Sequence, residues 1–127
     1  MCNMDYISRS GISLPLHFFF EFQQHQQDMT YSEIINSDTP TLVDFTATWC
    51  GPCRAMAPVL EQLAGKIGES ARIIKIDVDK NPAIAEKLNI QGVPTFILYK
   101  KGQIIWRQSG MQSLNQLETL IKQAQDS

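Results

Sequence analysis

The sequence predicts an α/β fold in which a mixed central β-sheet is flanked by helices on both faces. Three patterns predict it: strand, helix and strand within residues 41–78, a hairpin over residues 95–108, and an amphipathic helix near the end. At 127 residues the chain is the size of one domain. Its 43% hydrophobic and 19% charged residues are typical of a globular protein and too apolar for a disordered one.

The strand–helix–strand pattern begins with residues 41–47, a short apolar and β-branched run around one acid. Such a run is typical of a strand that is covered on both faces. A helix is predicted after it, ended by Gly68 and bent at Pro58, and residues 72–78 form the next strand. Two parallel strands joined by a helix require a right-handed crossover. The apolar stripe of the helix consists of Met56, Val59, Leu60, Leu63 and Ile67.

The second half continues with a short helix, a hairpin and a final helix. Asn81-Pro82 reads as an N-cap followed by proline at the first helical position, which opens a helix to about Leu88. Two strands, residues 95–99 and 103–108, are separated by Lys100-Lys101-Gly102, a spacing that favours an antiparallel hairpin. Ser113 is predicted to cap the last helix. Its apolar face comprises Leu114, Leu117, Ile121 and Ala124.

The first 28 residues differ from the rest, so we predict an N-terminal extension over residues 1–28 and a compact domain over residues 29–127. The extension holds an aromatic run, which we expect to add a first strand to a sheet edge, and a glutamine-rich stretch that opens a helix through Ile34 and Ile35. Residues 1–15 are expected to be unstructured. Met29 is an alternative translational start. The isolated Cys2 is predicted to have no role.

Charge and hydropathy exclude two classes of partner. The net charge is -2, and all of it lies in residues 1–28, where Asp5, Glu21 and Asp28 face only Arg9. Residues 29–127 carry ten basic and ten acidic side chains and show no basic run, which argues against nucleic acids and anionic membranes. No apolar window is long enough to span a membrane. We expect a cytoplasmic protein. Export is the alternative, although residues 12–20 make a poor signal peptide.

Two of the three cysteines, Cys50 and Cys53, flank Gly51-Pro52 where a strand meets a helix. The start of a helix carries unpaired N–H groups and partial positive charge, so a sulfur there is stabilised as thiolate, the reactive form. A CxxC pair in a βαβ unit indicates redox chemistry. Two alternatives are a pair of buried structural cysteines and half of a zinc site. Zinc needs four ligands, and the other candidates lie in the N-terminal extension.

The segment Val43-Asp44-Phe45-Thr46-Ala47-Thr48-Trp49-Cys50-Gly51-Pro52-Cys53 closely resembles the active-site segment of the thioredoxin family. The likeness continues through Pro58, Asn81-Pro82 and Gly102, and it covers residues 29–127. It implies a thioredoxin fold and a thiol:disulfide oxidoreductase. The Gly-Pro pair between the cysteines is that of the reductants of this family.

The resemblance also implies a division of roles. Cys50 would be the nucleophile and Cys53 the resolving cysteine, with a disulfide between them in the oxidised protein. Asp44, an acid in a central strand, is expected to have a raised pKa and to assist deprotonation of Cys53. Lys75 matches a lysine near this acid and would tune it. The alternative for Asp44 and Lys75 is that both are ordinary charges at strand ends.

A substrate-binding surface around the cysteines is implied as well. Pro94 matches a cis proline of the family, which would leave the Val93 backbone free to pair with an extended substrate segment. The alternatives are a trans proline at Pro94, a core position for Trp49 and a simple turn at Gly110. The full predicted surface consists of Trp49, Gly51, Pro52, Gly92, Val93, Pro94 and Gly110.

Two residues depart from the family's pattern. Thr46 stands where many thioredoxins have a bulky aromatic residue, and Met111 stands where a small residue is common. Both departures concern the surface that meets partners rather than the thiol chemistry.

The chain has no glycine motif for a flavin or nucleotide, so we expect no bound cofactor. The resemblance implies electrons from NADPH through a thioredoxin reductase, diverse disulfide-containing proteins as substrates, and a monomer. Two competing readings remain. An exported relative would use the same cysteines in an oxidising compartment, and a binding module would keep its partner function without them.

Overall fold

The computed structural model describes residues 4–6 and 30–126. The strands are β1 (Met4–Tyr6), β2 (Thr41–Thr46), β3 (Arg72–Asp77), β4 (Thr95–Lys100) and β5 (Gln103–Ser109). The helices are α1 (Tyr31–Ile35), α2 (Gly51–Ile67), α3 (Pro82–Lys87) and α4 (Leu114–Gln125), with a 3₁₀ turn at Gly68–Ser70. From residue 41 onward the predicted order of elements is confirmed.

The strands form one mixed sheet in the order β1-β3-β2-β4-β5. Only the β2–β3 pair is parallel among the described strands, and the helix α2 makes the crossover between them. Because β2 is central in the sheet, the acid predicted on it has a neighbouring strand on each side. Asp44 pairs with Lys75 on one side and with Phe96 on the other.

Alternation along the central strands separates two hydrophobic layers, one on each face of the sheet. On one face, Leu42 and Phe96 pack with the helices α2 and α4, for example with Leu60 and Ile121. On the other face, Val43, Phe45, Ile74 and Ile97 pack with Ile34 of α1, and α3 contributes the half-buried Ile84. Each fully buried side chain of this size contributes about 1.5–3 kcal/mol. Helices on both faces, as predicted, therefore cover the sheet.

Side-chain hydrogen bonds cap the beginnings of two of the helices, α1 and α4. Thr30 caps α1 by accepting a hydrogen bond from the Glu33 amide at 3.2 Å. Ser113 caps α4 as predicted, since its hydroxyl accepts from the Gln116 amide at 3.1 Å. Asn81 occupies the cap position of α3, but its side chain instead donates to the Asp77 carbonyl at 3.0 Å.

The N-terminal expectations have mixed outcomes. Residues Met4–Tyr6 form a strand antiparallel to β3, so the expectation of an unstructured segment is wrong for these three residues. The aromatic run and the glutamine-rich opening of the helix lie outside the described residues. The boundary between extension and domain at residue 28 stays a prediction.

The hairpin between β4 and β5 turns through Lys101 and Gly102, which both have positive φ angles, 54° and 80°. Two such residues are typical of the type I′ turns that join antiparallel strands. The Gly102 amide donates to the Ile35 carbonyl at 2.9 Å, which fastens the turn to the end of α1. Further along the hairpin the register shifts between Leu98 and Tyr99.

Candidate active site

A disulfide joins Cys50 and Cys53 at the beginning of α2, with the two Cα atoms 5.3 Å apart. Cys50 is the N-cap residue of this helix, and its sulfur accepts a hydrogen bond from the Cys53 amide at 3.2 Å. The predicted placement of a sulfur at a helix start is confirmed. Cys50 is only 4% exposed and Cys53 only 2%, so both cysteines are buried in the oxidised protein.

The Val93 backbone lies against the disulfide. The Cys50 sulfur is 3.6 Å from the Val93 carbonyl oxygen, and the Val93–Pro94 peptide bond is cis, as the resemblance implied. The Gly110 amide donates to the Pro94 carbonyl at 2.8 Å, and Gly110 has a φ of 90°. The conformation favours glycine there, which supports the turn interpretation of Gly110. β2, α2 and β4 thus bring Cys50, Cys53 and Val93 together.

Asp44 is fully buried, and neither of its carboxylate oxygens has a hydrogen-bond partner in the structure. Burial raises the pKa of this carboxyl from 3.8 to about 7, and the nearby Lys75 ammonium lowers it in part. Removing an ionised group from water disfavours its charged form, which explains the direction. For Asp44, the alternative of an ordinary charge at a strand end is wrong.

The position of Asp44 relative to the disulfide follows from the strand. Asp44 stands two residues after Leu42, so both side chains point to the sheet face that α2 covers. Cys53 lies in the first turn of that helix and lines a surface cavity together with Lys75. The acid, the lysine and the second cysteine therefore share one face of the sheet.

Trp49 is 67% exposed, so the core alternative for this residue is wrong. Its indole N–H donates to a carboxylate oxygen of Asp79 at 2.8 Å. Asp79 is held in turn, because the Asp77 carboxylate accepts hydrogen bonds from the amides of Asp79 (2.8 Å) and Lys80 (3.2 Å). An exposed aromatic ring beside the disulfide is thereby fixed in orientation.

Asp79 is a site residue that the sequence did not reveal. It lies within the stretch that resembles the family, but no local pattern predicts its contact with an indole thirty positions earlier. The other predicted surface residues Gly51, Pro52 and Gly92 are exposed, Val93 is half-buried and Pro94 is buried. Met111 is 55% exposed and adds apolar surface.

Among residues 4–6 and 30–126, no group of three His, Cys, Asp or Glu side chains is arranged to hold a metal ion. Within the same part, no helix is both long and apolar enough to cross a membrane.

A cysteine pair joined across the first helical turn of a βαβ unit defines a thiol:disulfide oxidoreductase. The chain belongs to the thioredoxin family, because the model of that family matches residues 22–123. It transfers electrons by dithiol–disulfide exchange through Cys50 and Cys53. The predicted family and enzyme class are therefore confirmed.

Individual relatives agree with this assignment. A thioredoxin-like protein of Synechocystis is 46% identical over 93 residues, which are 72% of this chain and 89% of that protein. Chloroplastic thioredoxin Y of rice is 41% identical over 118 residues, 92% of this chain and 67% of the relative. The oxidised mitochondrial thioredoxin 3 of Saccharomyces cerevisiae has a TM-score of 0.66 and 38% identity, covering 73% of this chain and 86% of that one. The predicted thioredoxin fold is confirmed.

Proposed function

We propose that this protein is a general protein disulfide reductase in which Cys50 attacks and Cys53 resolves. The Cys50 thiolate attacks one sulfur of a substrate disulfide, that bond breaks, and a mixed disulfide forms while one substrate thiolate leaves. Cys53, once deprotonated, attacks the Cys50 sulfur, closes the Cys50–Cys53 bond and releases the second substrate thiolate. The substrate gains two electrons and two protons. The observation that carries the proposal is the cysteine pair at the helix start with a buried acid in the adjacent strand.

Asp44 is proposed to accept the proton of the Cys53 thiol before the resolving attack. A carboxyl group whose pKa is about 7 can take up and return a proton near neutral pH. The Lys75 ammonium favours the ionised form of Asp44 and so tunes this exchange. Both residues act on the second step, because the first attack needs only the Cys50 thiolate.

Substrate docking is proposed along the exposed surface around the disulfide. The Val93 carbonyl lies next to the Cys50 sulfur and would pair with an extended substrate backbone. The cis bond to Pro94 would hold that carbonyl in place. Main-chain pairing gives affinity with little dependence on sequence, as a general reductant requires. Trp49, Gly51, Pro52, Gly92 and Gly110 would form the rest of the contact surface.

The oxidised pair must be reset by an electron donor. We propose that electrons come from NADPH through a thioredoxin reductase and that no cofactor is bound to this chain. The reductase and disulfide-containing proteins would then be its partners, and one copy carries the complete cysteine pair, as expected of a monomer. Such a cycle runs only where the pool of thiols is reducing.

We place the protein in the cytoplasm on this ground, with a chloroplast as the competing location because thioredoxin Y of rice is chloroplastic. Cell fractionation with an antibody against the chain distinguishes the two. Mass spectrometry of the mature N-terminus, in particular whether it begins at Met29, then reports whether the N-terminal extension is retained.

The function is tested by reduction of insulin disulfides with NADPH and a thioredoxin reductase. We expect NADPH consumption that depends on the protein and is lost when Cys50→Ser and Cys53→Ser are combined. A parallel assay with dithiothreitol as the donor separates chemistry from partner. Activity in neither assay refutes the proposed function, whereas activity with dithiothreitol alone refutes only the proposed reductase.

A further inference from the structure

A cavity of about 420 Å³ opens beside the resolving cysteine, on the α2 side of the sheet. We call it the Thr46 notch. Its walls come from the end of β2, the first turns of α2, and β3 with the loop that follows it. Its lining includes Thr46, Cys53, Arg54, Lys75, Asp77 and Lys80.

A small residue at the end of β2 lines the notch. Thr46 is the last residue of that strand, and its half-buried side chain is part of the cavity wall. An aromatic ring in this position would occupy much of the same space. The small threonine therefore leaves room next to Cys53 for a side chain of a bound substrate.

The charges around the Thr46 notch favour an anion. Arg54, Lys75 and Lys80 line it against a single lining carboxylate, that of Asp77. Asp77 is already engaged, because it accepts the amides of Asp79 and Lys80. Within the described part of the chain, none of the three lining cations forms a salt bridge with a carboxylate. Arg54 and Lys80 thus remain available to a charge brought by a partner, whereas Lys75 also interacts with the Asp44 carboxyl.

The two sulfurs of the active site face different surroundings. Cys50 lies against the Val93 carbonyl, where an extended substrate is proposed to dock, whereas Cys53 lines the Thr46 notch. A substrate that is bonded to Cys50 would therefore present its neighbouring side chains to the notch. Opposite charges across such a contact select partners and accelerate their association.

We infer that this protein prefers substrate proteins whose disulfide is flanked by acidic side chains, which the Thr46 notch receives between Arg54, Lys75 and Lys80. The inference rests on the proposed reductase function and names the substrate class of that site. It requires no step beyond the dithiol–disulfide exchange already described.

The test compares two synthetic peptides, each with one disulfide, that differ only in whether glutamate or glutamine flanks the cysteines. The full chain reduces them with dithiothreitol as the donor, and kcat/KM is measured at low and high salt. We expect the glutamate peptide to be favoured by about fivefold at low salt, because exposed ion pairs are individually weak. The preference should shrink as salt screens the charges.

Two variants with equal net charge locate the effect. The double variant Arg54→Gln and Lys80→Gln removes charge from the notch, and Lys66→Gln with Lys87→Gln removes the same charge from helix surfaces outside it. The preference should vanish in the first and persist in the second. Thr46→Phe, which fills the notch without changing charge, should also weaken it.

The outcomes separate this inference from the proposed function. Equal reduction of both peptides by the unaltered protein overturns the inference alone, since the reductase activity is then intact. A preference that survives in the Arg54→Gln, Lys80→Gln variant overturns it too, because the selectivity then resides elsewhere. Failure to reduce either peptide overturns the reductase function and the inference together.

Discussion

Replacing the buried acid by asparagine, Asp44→Asn, should stabilise the folded protein relative to the parent, by an amount that grows as the pH rises. Folding raises the pKa of Asp44 from 3.8 to about 7, a difference of about three pH units. Each unit corresponds to about 1.4 kcal/mol, so the ionised carboxylate costs about 4 kcal/mol of stability above pH 7. The sign follows from proton binding: between pH 4 and pH 7 the folded state holds a proton that the unfolded state has lost, so stability falls as pH rises.

Asparagine does not titrate, so the variant lacks this loss. At pH 4 the acid is protonated in the folded protein, and the parent and the variant should differ little in their free energy of unfolding. By pH 8 the variant should have gained about 4 kcal/mol on the parent. Guanidinium unfolding of the oxidised proteins from pH 4 to pH 9 measures the difference, with Asp38→Asn at an exposed position as the control. A difference that does not change with pH would refute the raised pKa.

The remaining predictions concern the roles of the two cysteines, the hydrogen bond of Trp49 and the backbone carbonyls that follow α3. Cys53→Ser should trap substrates as mixed disulfides on non-reducing gels, and Cys50→Ser should trap none; equal trapping by both would contradict the division of roles. In a Trp106→Phe background, Asp79→Ala should free the Trp49 indole, lower its fluorescence anisotropy and reduce insulin turnover about threefold, as loss of one modest hydrogen bond allows. Asp79→Asn keeps a hydrogen-bond acceptor and should retain the parent's anisotropy and insulin turnover. Unchanged anisotropy in Asp79→Ala would show that the contact does not hold the indole. Arg107 donates to the carbonyls of Leu88 (2.6 Å) and Asn89 (3.0 Å) beyond α3, so Arg107→Ala should cost about 1–2 kcal/mol. An unchanged denaturation midpoint would show that these bonds contribute nothing.

Much of the fold follows from local patterns in the sequence. The apolar stripe from Met56 to Ile67 and the glycine after it predict α2 and its end, and Ser113 predicts the start of α4. Asp44 stands among apolar residues of a central strand. Because both faces of such a strand are covered, its neighbours predict that the acid is buried, and it is. These features depend on residues a few positions apart, which is the range that propensity and periodicity describe.

The features that escaped prediction depend on contacts between distant residues. The strand at Met4–Tyr6 is only three residues long, too short to show alternation, and it forms because β3 offers an open edge. Asn81 was expected to cap α3 with its side chain, but that side chain donates to the Asp77 carbonyl, because the preceding loop folds back on itself. The hydrogen bond between Trp49 and Asp79 likewise exists only once β2 and β3 lie side by side.

The register shift in the hairpin bears on how the molecule avoids unwanted association. Leu98 pairs with Trp106 and Tyr99 with Ile104, so Ile105 is an extra residue on the outermost strand. Ile104 and Ile105 are both nearly half exposed, on a strand that no other described strand covers. A regular edge with such side chains would invite a second chain to add a strand, with aggregation as the result. The extra residue breaks the ladder of amides and carbonyls and increases the local twist, so the edge is a poor template. A protein that we propose to reduce many unrelated polypeptides at its disulfide would thus keep its far edge unattractive to them.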